Sequence, residues 1–313
     1  MAEAIHMMAD SGPDAMFVAG GTDLYPNMKR RQQTPKVVIG LAQLNDLLTI
    51  KGEPKEGMVL GASLTLTDLT ADNRIQRSYP AVAKAAELIS TPLLRNMGSI
   101  GGNLLLDTRC NYYDQNYEWR KAIHFCMKKD GEICWVAPSS PRCWAVQSSD
   151  CAPVMVAIGA KVKLVSSSGE RVIPAADLYN DDGIRHLNKR PDELLTEILL
   201  PPVNGWRATY WKLRRRGTFD FPVLGVAAWL KFAKDGTVED SKIILGGVGS
   251  HPIEATAAEK VIAGKKLTEE IIREASQAAY QPAKPLDNTD FAMTWRKEMA
   301  RFYVAGTLRE LAS

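Results

Sequence analysis

Apolar and polar positions recur with two periods in the first half of the chain, which predicts a mixture of strands and short helices. Residues 2–10 have helical spacing, and the apolar stretches AMFVAGG and 35–41 are typical of strands that end at glycine turns. The segment MVLGASLTLT is rich in strand formers. Residues 79–90 carry small apolar side chains on one helical face, which predicts a helix.

The second half of the chain predicts a hairpin, a domain boundary and a smaller domain. VMVAIGAKVKLVSSSGERVIPAADLY alternates around a Ser-Ser-Gly turn, and ELLTEILLPP ends in a Pro-Pro breaker. Two strand stretches joined by a KDGT turn follow, and the chain finishes with helical patterns at 257–263, 268–280 and 295–311. We therefore predict an α+β protein with one domain at 1–203 and a smaller one at 204–313.

Composition and charge act mainly by excluding classes of protein. With 45% hydrophobic residues, 24% charged residues and a net charge of +3, the chain is too weakly basic for a nucleic-acid surface. Its N-terminus lacks the basic and apolar regions of a signal peptide, and no run approaches the length of a membrane span. We expect a cytoplasmic protein that binds neither nucleic acid nor a membrane.

All five cysteines lie within residues 101–154. In a reducing compartment such clustering favours metal binding or redox chemistry over disulfides, and buried free thiols are the alternative. The spacing contains neither a Cys-x-x-Cys knuckle nor the run of a bacterial ferredoxin loop. From spacing alone, four of these thiolates could hold either zinc or an iron-sulfur cluster.

Two glycine turns, AGGTDL at 19–24 and GSIGGNL at 98–104, follow apolar segments. Missing Cβ atoms allow backbone N–H groups to approach an anion closely, and Thr22, Ser99 and Asn103 can add side-chain donors. Neither turn is a P-loop or a Rossmann fingerprint, and either one alone is compatible with a simple tight turn. Two such turns in one chain favour a site for the pyrophosphate of a dinucleotide.

Several longer motifs extend this interpretation. VAGGTDLYPNMK, RNMGSIGGNLLLD, SSDCAPVMVAIGAKVKL, ELLTEILLPP and YWKLRRRGTFDFPVLGVAAWL, in this order, closely resemble the flavin subunits of the molybdenum hydroxylase (xanthine dehydrogenase) family. The resemblance covers nearly the whole chain. It implies a two-part FAD-binding domain of the vanillyl-alcohol-oxidase/PCMH type and a smaller α+β domain of the CO dehydrogenase flavoprotein type. Family members usually begin with a short strand before the first helix, and this chain lacks it.

The resemblance also implies which residues bind FAD. Both glycine loops would bind its pyrophosphate, Asp150 would contact it, and Leu194 and Lys212 would lie near its isoalloxazine end. Alternatively, these three are a helix cap, a core residue and one charge of a solvated basic run. The implied residues are Ala19, Gly20, Gly21, Thr22, Asp23, Leu24, Ser99, Gly101, Gly102, Asn103, Asp150, Leu194 and Lys212.

The cysteines lie in an insertion at about 108–148, where ordinary family members have only a few residues. This insertion is similar to the one in the flavin subunit of 4-hydroxybenzoyl-coenzyme A reductase, which implies a 4Fe-4S cluster. The implied ligands are Cys110, Cys126, Cys134 and Cys143. Cys151 falls outside the pattern as a small buried side chain, and His124 is an alternative ligand. The aromatic residues between the cysteines would shield the cluster or form the core of the loop; they are Tyr112, Tyr113, Tyr117, Trp119, Phe125, Trp135 and Trp144.

The sequence contains no constellation that would activate a substrate, so the resemblance implies an electron-transfer subunit. Its partners would be a large molybdenum-cofactor subunit and a small subunit with two 2Fe-2S clusters, in a dimer of heterotrimers. Reduced ferredoxin would donate electrons through the 4Fe-4S cluster and FAD, and 4-hydroxybenzoyl-coenzyme A would be dehydroxylated to benzoyl-coenzyme A. The alternatives are the FAD subunit of a related aromatic or heterocycle hydroxylase or dehydrogenase, a zinc-binding interaction module, and a free-standing flavoprotein oxidase.

Overall fold

The computed structural model describes residues 1–313, which form short helices and three β-sheets. The helices are α1 Ala2–Ser11, α2 Leu24–Lys29, α3 Leu66–Ala71, α4 Asn73–Ser78, α5 Pro80–Glu87, α6 Pro92–Arg95, α7 Ile100–Leu104, α8 Tyr117–Ala122, α9 Cys151–Ala157, α10 Thr256–Ile262, α11 Glu269–Ala278 and α12 Met293–Ala312. The strands are β1 Ala15–Val18, β2 Val37–Gly40, β3 Ile50–Glu53, β4 Gly57–Gly61, β5 Lys161–Ser166, β6 Gly169–Pro174, β7 Leu194–Leu200, β8 Trp206–Leu213, β9 Leu224–Phe232, β10 Val238–Gly246 and β11 Ile253–Glu254.

The first two strands form a small parallel pair that positions the first glycine turn. β1 runs beside β2, with Ala15 opposite Val37 and Val18 opposite Gly40. α1 covers this pair and buries Met8 in a small apolar cluster shared with both strands. The chain leaves β1 directly into residues 19–24, so the pairing of β1 fixes where that turn begins.

A five-stranded antiparallel sheet in the order β3-β4-β7-β5-β6 forms the centre of the first domain. Its central strand β7 is buried along most of its length, as its nearly continuous apolar sequence LLTEILL suggests. The edge strand β6 is polar and mostly exposed, which is normal for a strand with one free edge. Helices α3, α5, α7 and α9 contribute apolar side chains to the same core as this sheet.

The second domain is a four-stranded antiparallel sheet in the order β11-β10-β9-β8, covered by α10, α11 and α12. The predicted turn between β9 and β10 contains Gly236, whose φ of 83° favours glycine. Gly306 of α12 lies against Trp211 of β8, since a Cβ there would approach the indole ring to 2.3 Å. This glycine therefore lets the long terminal helix lie close to the sheet.

The two domains share a continuous apolar core. α9 packs against β9 and β10, and α5 packs against β8. Tyr210, Ala227 and Ile244 of the second sheet belong to the main core cluster of the first domain. At the rim, the Lys84 ammonium donates to both carboxylate oxygens of Glu310 at 3.1 Å. The interface is thus apolar inside and charged at its edge.

The insertion that carries the cysteines has little regular structure, and α8 is the one helix in it. Its two ends are joined by an antiparallel bridge between Arg109 and Val146. The N–H of Arg109 donates to the carbonyl of Val146 at 2.8 Å, and the reverse bond is 2.7 Å long. The insertion is therefore a closed loop with a fixed base.

Most elements predicted from sequence periodicity are present, which confirms the α+β class with two domains. The helix predicted at 79–90 is α5, the hairpin is β5 and β6, and the three C-terminal helical patterns are α10, α11 and α12. Helix α8 inside the insertion was not predicted. None of the helices combines the length and apolar character needed to cross a membrane.

The central position of β7 yields a test of the fold. Ile198 is fully buried and lies between Leu60 of β4 and Val162 of β5. We expect Ile198→Ala to lower the free energy of unfolding by about 2–5 kcal/mol because it leaves a cavity in the core. Val172→Ala on the exposed edge strand β6 is the control and should change stability by less than about 0.5 kcal/mol. Urea denaturation followed by circular dichroism measures both, and equal effects would contradict this description of the sheet.

Candidate functional site

A cavity of about 520 Å³ lies where the parallel pair, both glycine turns and the segment 186–195 meet. This volume is in the range of sites for large organic ligands. Every predicted residue of the two glycine turns lines it, from Ala19 to Leu24 and from Ser99 to Asn103 apart from Ile100. Leu194 also lines it, and it packs with Ala15 in the N-terminal core cluster.

The first glycine turn presents a row of backbone donors. The N–H groups of Gly20, Gly21, Thr22 and Asp23 donate to no backbone carbonyl of the chain. Gly21 has a φ of 68°, a left-handed conformation that lets successive N–H groups point to one side. All four residues line the cavity, so this row of unpaired N–H groups fits an anionic ligand such as a pyrophosphate.

The second glycine turn is fixed by hydrogen bonds within the turn and to neighbouring segments. The N–H of Gly101 donates to the carbonyl of Ala62 at 2.8 Å, and the N–H of Gly102 donates to the Ser99 hydroxyl at 3.1 Å. The Asn103 side-chain oxygen accepts from the Ser149 hydroxyl at 2.7 Å and from the N–H of Cys151 at 3.1 Å. This turn therefore contributes a wall that is fixed by hydrogen bonds, and the N–H groups of Gly101 and Gly102 are already paired.

Two of the glycines also have a packing role in addition to the one expected. A Cβ on Gly20 would lie 1.7 Å from the carbonyl oxygen of Met97, and a Cβ on Gly101 would lie 2.6 Å from that of Ala62. Both glycines thus permit close backbone packing between chain segments, and both also line the cavity. A Cβ on Gly102 would meet only the Ser99 hydroxyl, at 3.0 Å, so Gly102 is the one with open space beside it.

The structure brings Asp150 and Lys212 together, but it does not place them on the cavity wall. The Lys212 ammonium donates to Asp150 at 2.9 Å and to the carbonyl of Leu88, also at 2.9 Å. The Tyr210 hydroxyl donates to the other Asp150 oxygen at 2.9 Å. Burial raises the pKa of Asp150 and lowers that of Lys212, and each partner opposes the shift of the other.

This buried pair corrects both alternative interpretations. Lys212 is 1% exposed and does not belong to a solvated run. Asp150 precedes α9, but its carboxylate makes no cap hydrogen bond and binds the second domain instead. Leu88 directly precedes Ile89 and Ser90, which line the cavity, so the pair supports the wall from behind.

Polar residues that the sequence analysis missed line another part of the cavity: Asp107, His186 and Lys189. Burial alone would raise the pKa of Asp107, but the Lys128 ammonium and hydrogen bonds from Lys128 and Tyr113 hold it below its ordinary value. Burial and the same ammonium lower the pKa of His186. Burial lowers the pKa of Lys189 to about 8. No sequence motif marks these residues, because they converge only in the folded chain.

Cys110, Cys126, Cys134 and Cys143 line one small cavity inside the insertion. All four are buried and none forms a disulfide. The remaining wall is aromatic and aliphatic, and Lys128 is the one charged residue in it. The four cysteines expected as ligands therefore line the same small cavity of the insertion.

Two other residues considered together with these cysteines, His124 and Cys151, do not line this cavity. Cys151 is buried at the start of α9 within the main core, as expected. Tyr112, Tyr113 and Trp135 line the cysteine cavity, whereas the four other aromatic residues between the cysteines do not. Three of the seven aromatic residues therefore lie beside the cysteines, and the same three belong to or pack against the apolar cluster of the loop.

The apolar surroundings favour the neutral form of two of the cysteine thiols. Burial raises the pKa of Cys110 to about 12 and that of Cys143 to about 11, so both are neutral at pH 7 without a bound cation. A metal would have to displace these protons, since thiolates are the ligating form. The N–H of Ala145 already donates to the Cys143 sulfur at 3.4 Å. No three His, Cys, Asp or Glu side chains are close enough to hold a single metal ion.

The insertion is anchored directly to the first glycine turn. The Arg109 guanidinium binds the Asp23 carboxylate and donates to the Asn27 side-chain oxygen at 3.3 Å. Arg120 of α8 is fully buried and donates to the backbone carbonyls of residues 30 and 31 at 2.8 and 3.1 Å. Asp23 is therefore shared between the large cavity and the base of the insertion.

Gly102 offers a test of the large cavity that separates ligand binding from folding. Gly102→Val adds a side chain at the cavity wall, so we expect bound flavin to fall below about a tenth of wild type, equivalent to about 1.4 kcal/mol of affinity. Gly40→Val is the control, because a Cβ there meets nothing within 4 Å and Gly40 lies outside the cavity. Flavin content and thermal melting are measured together. Full flavin content in a folded Gly102→Val variant would remove this turn from the site.

Comparisons with known proteins agree with this architecture. The chain is 33% identical over 262 residues to the FAD-binding subunit of an aldehyde oxidoreductase from Escherichia coli (strain K12), covering 81% of this chain and 80% of the relative. It is 27% identical over 301 residues to the medium chain of carbon monoxide dehydrogenase from Afipia carboxidovorans, covering 96% and 90%. Carbon monoxide dehydrogenase from Hydrogenophaga pseudoflava, solved in a form lacking the Mo-pyranopterin moiety, aligns with a TM-score of 0.80 at 26% identity, over 99% of this chain and 93% of that one.

Family models account for nearly all of the chain. Residues 1–203 match the FAD binding domain in molybdopterin dehydrogenase. Residues 208–311 match the CO dehydrogenase flavoprotein C-terminal domain. The first match spans well over half of the 313 residues and contains both glycine turns. The chain therefore belongs to the family of FAD-binding medium subunits of molybdenum hydroxylases.

Proposed function

We propose that this chain is an electron-transfer subunit with two cofactors, FAD in the large cavity and a 4Fe-4S cluster on Cys110, Cys126, Cys134 and Cys143. The complex that contains it would remove the phenolic hydroxyl of 4-hydroxybenzoyl-coenzyme A. The observation that carries the proposal is the convergence of four buried cysteines on one cavity next to the flavin site.

The residues of the large cavity suit FAD. Free N–H groups on the first turn would receive the pyrophosphate, and Ser99, Gly102 and Asn103 would form the opposite wall. Leu194 would contribute an apolar contact. Asp150 and Lys212 would act by holding the chain at Leu88 behind the cavity.

The residues of the cysteine cavity suit an iron-sulfur cluster better than zinc. A zinc ion needs about four ligands roughly 2.3 Å from one centre, so its cysteines lie close together. The side chains here surround a cavity without converging to the separation of a single-ion site. A cluster with several iron atoms requires ligands placed farther apart, and an apolar aromatic wall restricts solvent access to it.

Bound FAD would supply two-electron chemistry and the cluster one-electron transfer, which is the usual division between such groups. This chain would hold both groups within one rigid unit, because the insertion is anchored to the flavin loop through Arg109 and Asp23. It would leave substrate chemistry to a partner. The overall reaction consumes two electrons and two protons, breaks the aromatic C–O bond and releases the hydroxyl as water.

The proposed partners are a large molybdenum-cofactor subunit and a small subunit with two 2Fe-2S clusters, in a dimer of heterotrimers. Reduced ferredoxin would be the electron donor. We also propose a cytoplasmic location, because five unpaired cysteines are typical of a reducing compartment.

A second candidate is the FAD subunit of a dehydrogenase or hydroxylase for another aromatic or heterocyclic substrate. It is favoured by relatives described as subunits of an aldehyde oxidoreductase and of a nicotinate dehydrogenase from Eubacterium barkeri. In that case electrons would leave the complex through FAD, and the cysteine insertion would serve a different acceptor.

The cysteine ligands are tested by metal analysis of the anaerobically purified complex. We expect Cys126→Ser and Cys134→Ser each to remove four iron and four sulfide per copy of this chain while leaving FAD bound, because both line the cysteine cavity only. Cys151→Ser is the matched control, since Cys151 is equally buried but lies outside that cavity. Unchanged iron in the two variants would contradict the ligand assignment, and loss of one zinc instead would favour a zinc site.

The direction of electron flow is tested with the complete complex. With reduced ferredoxin as donor, we expect 4-hydroxybenzoyl-coenzyme A to be converted to benzoyl-coenzyme A with two electrons consumed per product. The competing measurement supplies an oxidised dye with aromatic aldehydes or N-heterocycles and follows dye reduction. Activity confined to the second assay would reject the reductase and establish the dehydrogenase.

A further inference from the structure

An ion pair links the wall of the cysteine cavity to the wall of the flavin cavity. Lys128 lines the cysteine cavity, and Asp107 lines the flavin cavity. The Lys128 ammonium lies 2.8 Å from the Asp107 carboxylate, and their side chains are 6% and 13% exposed. This ion pair therefore faces both candidate cofactor sites at once.

Lys128 is fixed in position by a complete set of hydrogen bonds. Its ammonium donates to Asp107 at 2.8 Å, to the Thr108 hydroxyl at 2.8 Å and to the carbonyl of Gly183 at 2.7 Å. It also lies 4.8 Å from the centre of the Tyr113 ring. An ammonium has three donors, and all three are used here. The positive charge thus has one well-defined location.

Asp107 is equally constrained on the other side. In addition to Lys128, its carboxylate accepts from the Tyr113 hydroxyl at 2.9 Å and from the Gln33 side-chain amide at 3.2 Å. Tyr113 itself lines the cysteine cavity, so two hydrogen-bonded contacts link the two walls. The pair and Tyr113 form one layer between the sites.

The surroundings make this charge important to anything bound by the cysteines. Lys128 is the one charged residue in a wall that is otherwise aromatic and aliphatic. An iron-sulfur cluster on four thiolates carries net negative charge, and reduction adds one electron. Because charges interact strongly where water is excluded, a fixed ammonium favours the more negative, reduced state.

We propose that the fixed positive charge of Lys128 raises the reduction potential of the cluster, and that Asp107 is the counter-charge of Lys128 on the flavin side. The inference rests on the proposed cluster, and it goes further by assigning the main source of its electrostatic tuning. Removing Lys128 leaves the cluster without its nearest cation. Neutralising Asp107 leaves the cation without its anion, so the two changes shift the potential in opposite directions.

Opposite shifts of the reduction potential in the two variants distinguish an electrostatic role from a structural one. If the pair only held the loop in place, substitution of either residue would loosen the loop, and both variants would shift the potential in the same direction. An electrostatic role predicts that Lys128→Met lowers the potential and that Asp107→Asn raises it. Lys128→Arg keeps the charge and should stay near the wild-type value.

The experiment is an EPR-monitored redox titration of the 4Fe-4S signal in the anaerobically purified complex, with dithionite as reductant. We expect Lys128→Met to shift the equilibrium at least tenfold toward the oxidised cluster, which corresponds to about 59 mV for one electron. Lys129→Met is the matched control, because it removes the same charge from the adjacent residue, which lies outside the cavity and is paired with Asp130. Iron and flavin contents are measured on every variant.

The outcomes separate this inference from the function on which it rests. Wild-type protein without iron at the four cysteines would reject the cluster and this inference together. A cluster whose potential is unchanged in Lys128→Met, or shifts the same way in Lys128→Met and Asp107→Asn, would reject the role of Lys128 and leave the proposed function standing. If the Lys128→Met variant assembles no cluster, the Asp107→Asn variant provides the test. A reduction potential in Asp107→Asn that equals or lies below the wild-type value overturns the inference.

Discussion

The close packing of two backbone turns is the constraint on which the large cavity depends. Gly20 lies so near the carbonyl of Met97 that no Cβ fits between them, and Gly101 lies almost as near the carbonyl of Ala62. These contacts bring the end of β1 and the start of α7 to one place, although about 80 residues separate them in sequence. The free N–H groups of the first turn and the second glycine turn thus line the same cavity.

Buried charge stabilises the positions of the other parts around this cavity. Asp150 and Lys212 join the domains behind the wall, while Arg109 and Asp23 join the insertion to the first turn. Burying an ion is costly unless its partner and remaining hydrogen-bond groups are in place. Each pair therefore favours one relative position of the segments it joins.

Sequence patterns predicted the elements of this protein that depend mainly on residues close together in the sequence. Periodicity predicted the hairpin β5–β6 and the C-terminal helices, because side-chain alternation follows directly from strand and helix geometry. The two glycine turns and the four clustered cysteines were also recognisable, since unusual residue types mark them. The tight packing of Gly101 against Ala62 was not predictable, because these two residues are far apart in the sequence.

Residues whose role depends on distant neighbours were not predictable. Lys212 sits beside a run of arginines in sequence, and its burial follows from contact with Asp150, 62 residues away. Lys128 and Lys129 are identical in type and adjacent, but only the first lines the cysteine cavity. The direction of a side chain in an irregular loop is set by the whole loop and has no period that sequence could reveal.

The insertion combines an irregular backbone with four cysteines at one cavity, and these two features are related. Only five buried residues form its own apolar cluster, and three of them are cysteines. Ordering a loop opposes folding through lost conformational entropy, and so small a core offsets little of it. The loop relies instead on its closed base, on Arg120 bound to neighbouring carbonyls and, in the proposed function, on metal–thiolate bonds among its cysteines. A regular element would bury more apolar surface, but helical or strand periodicity would not bring four cysteines with these spacings to one cavity.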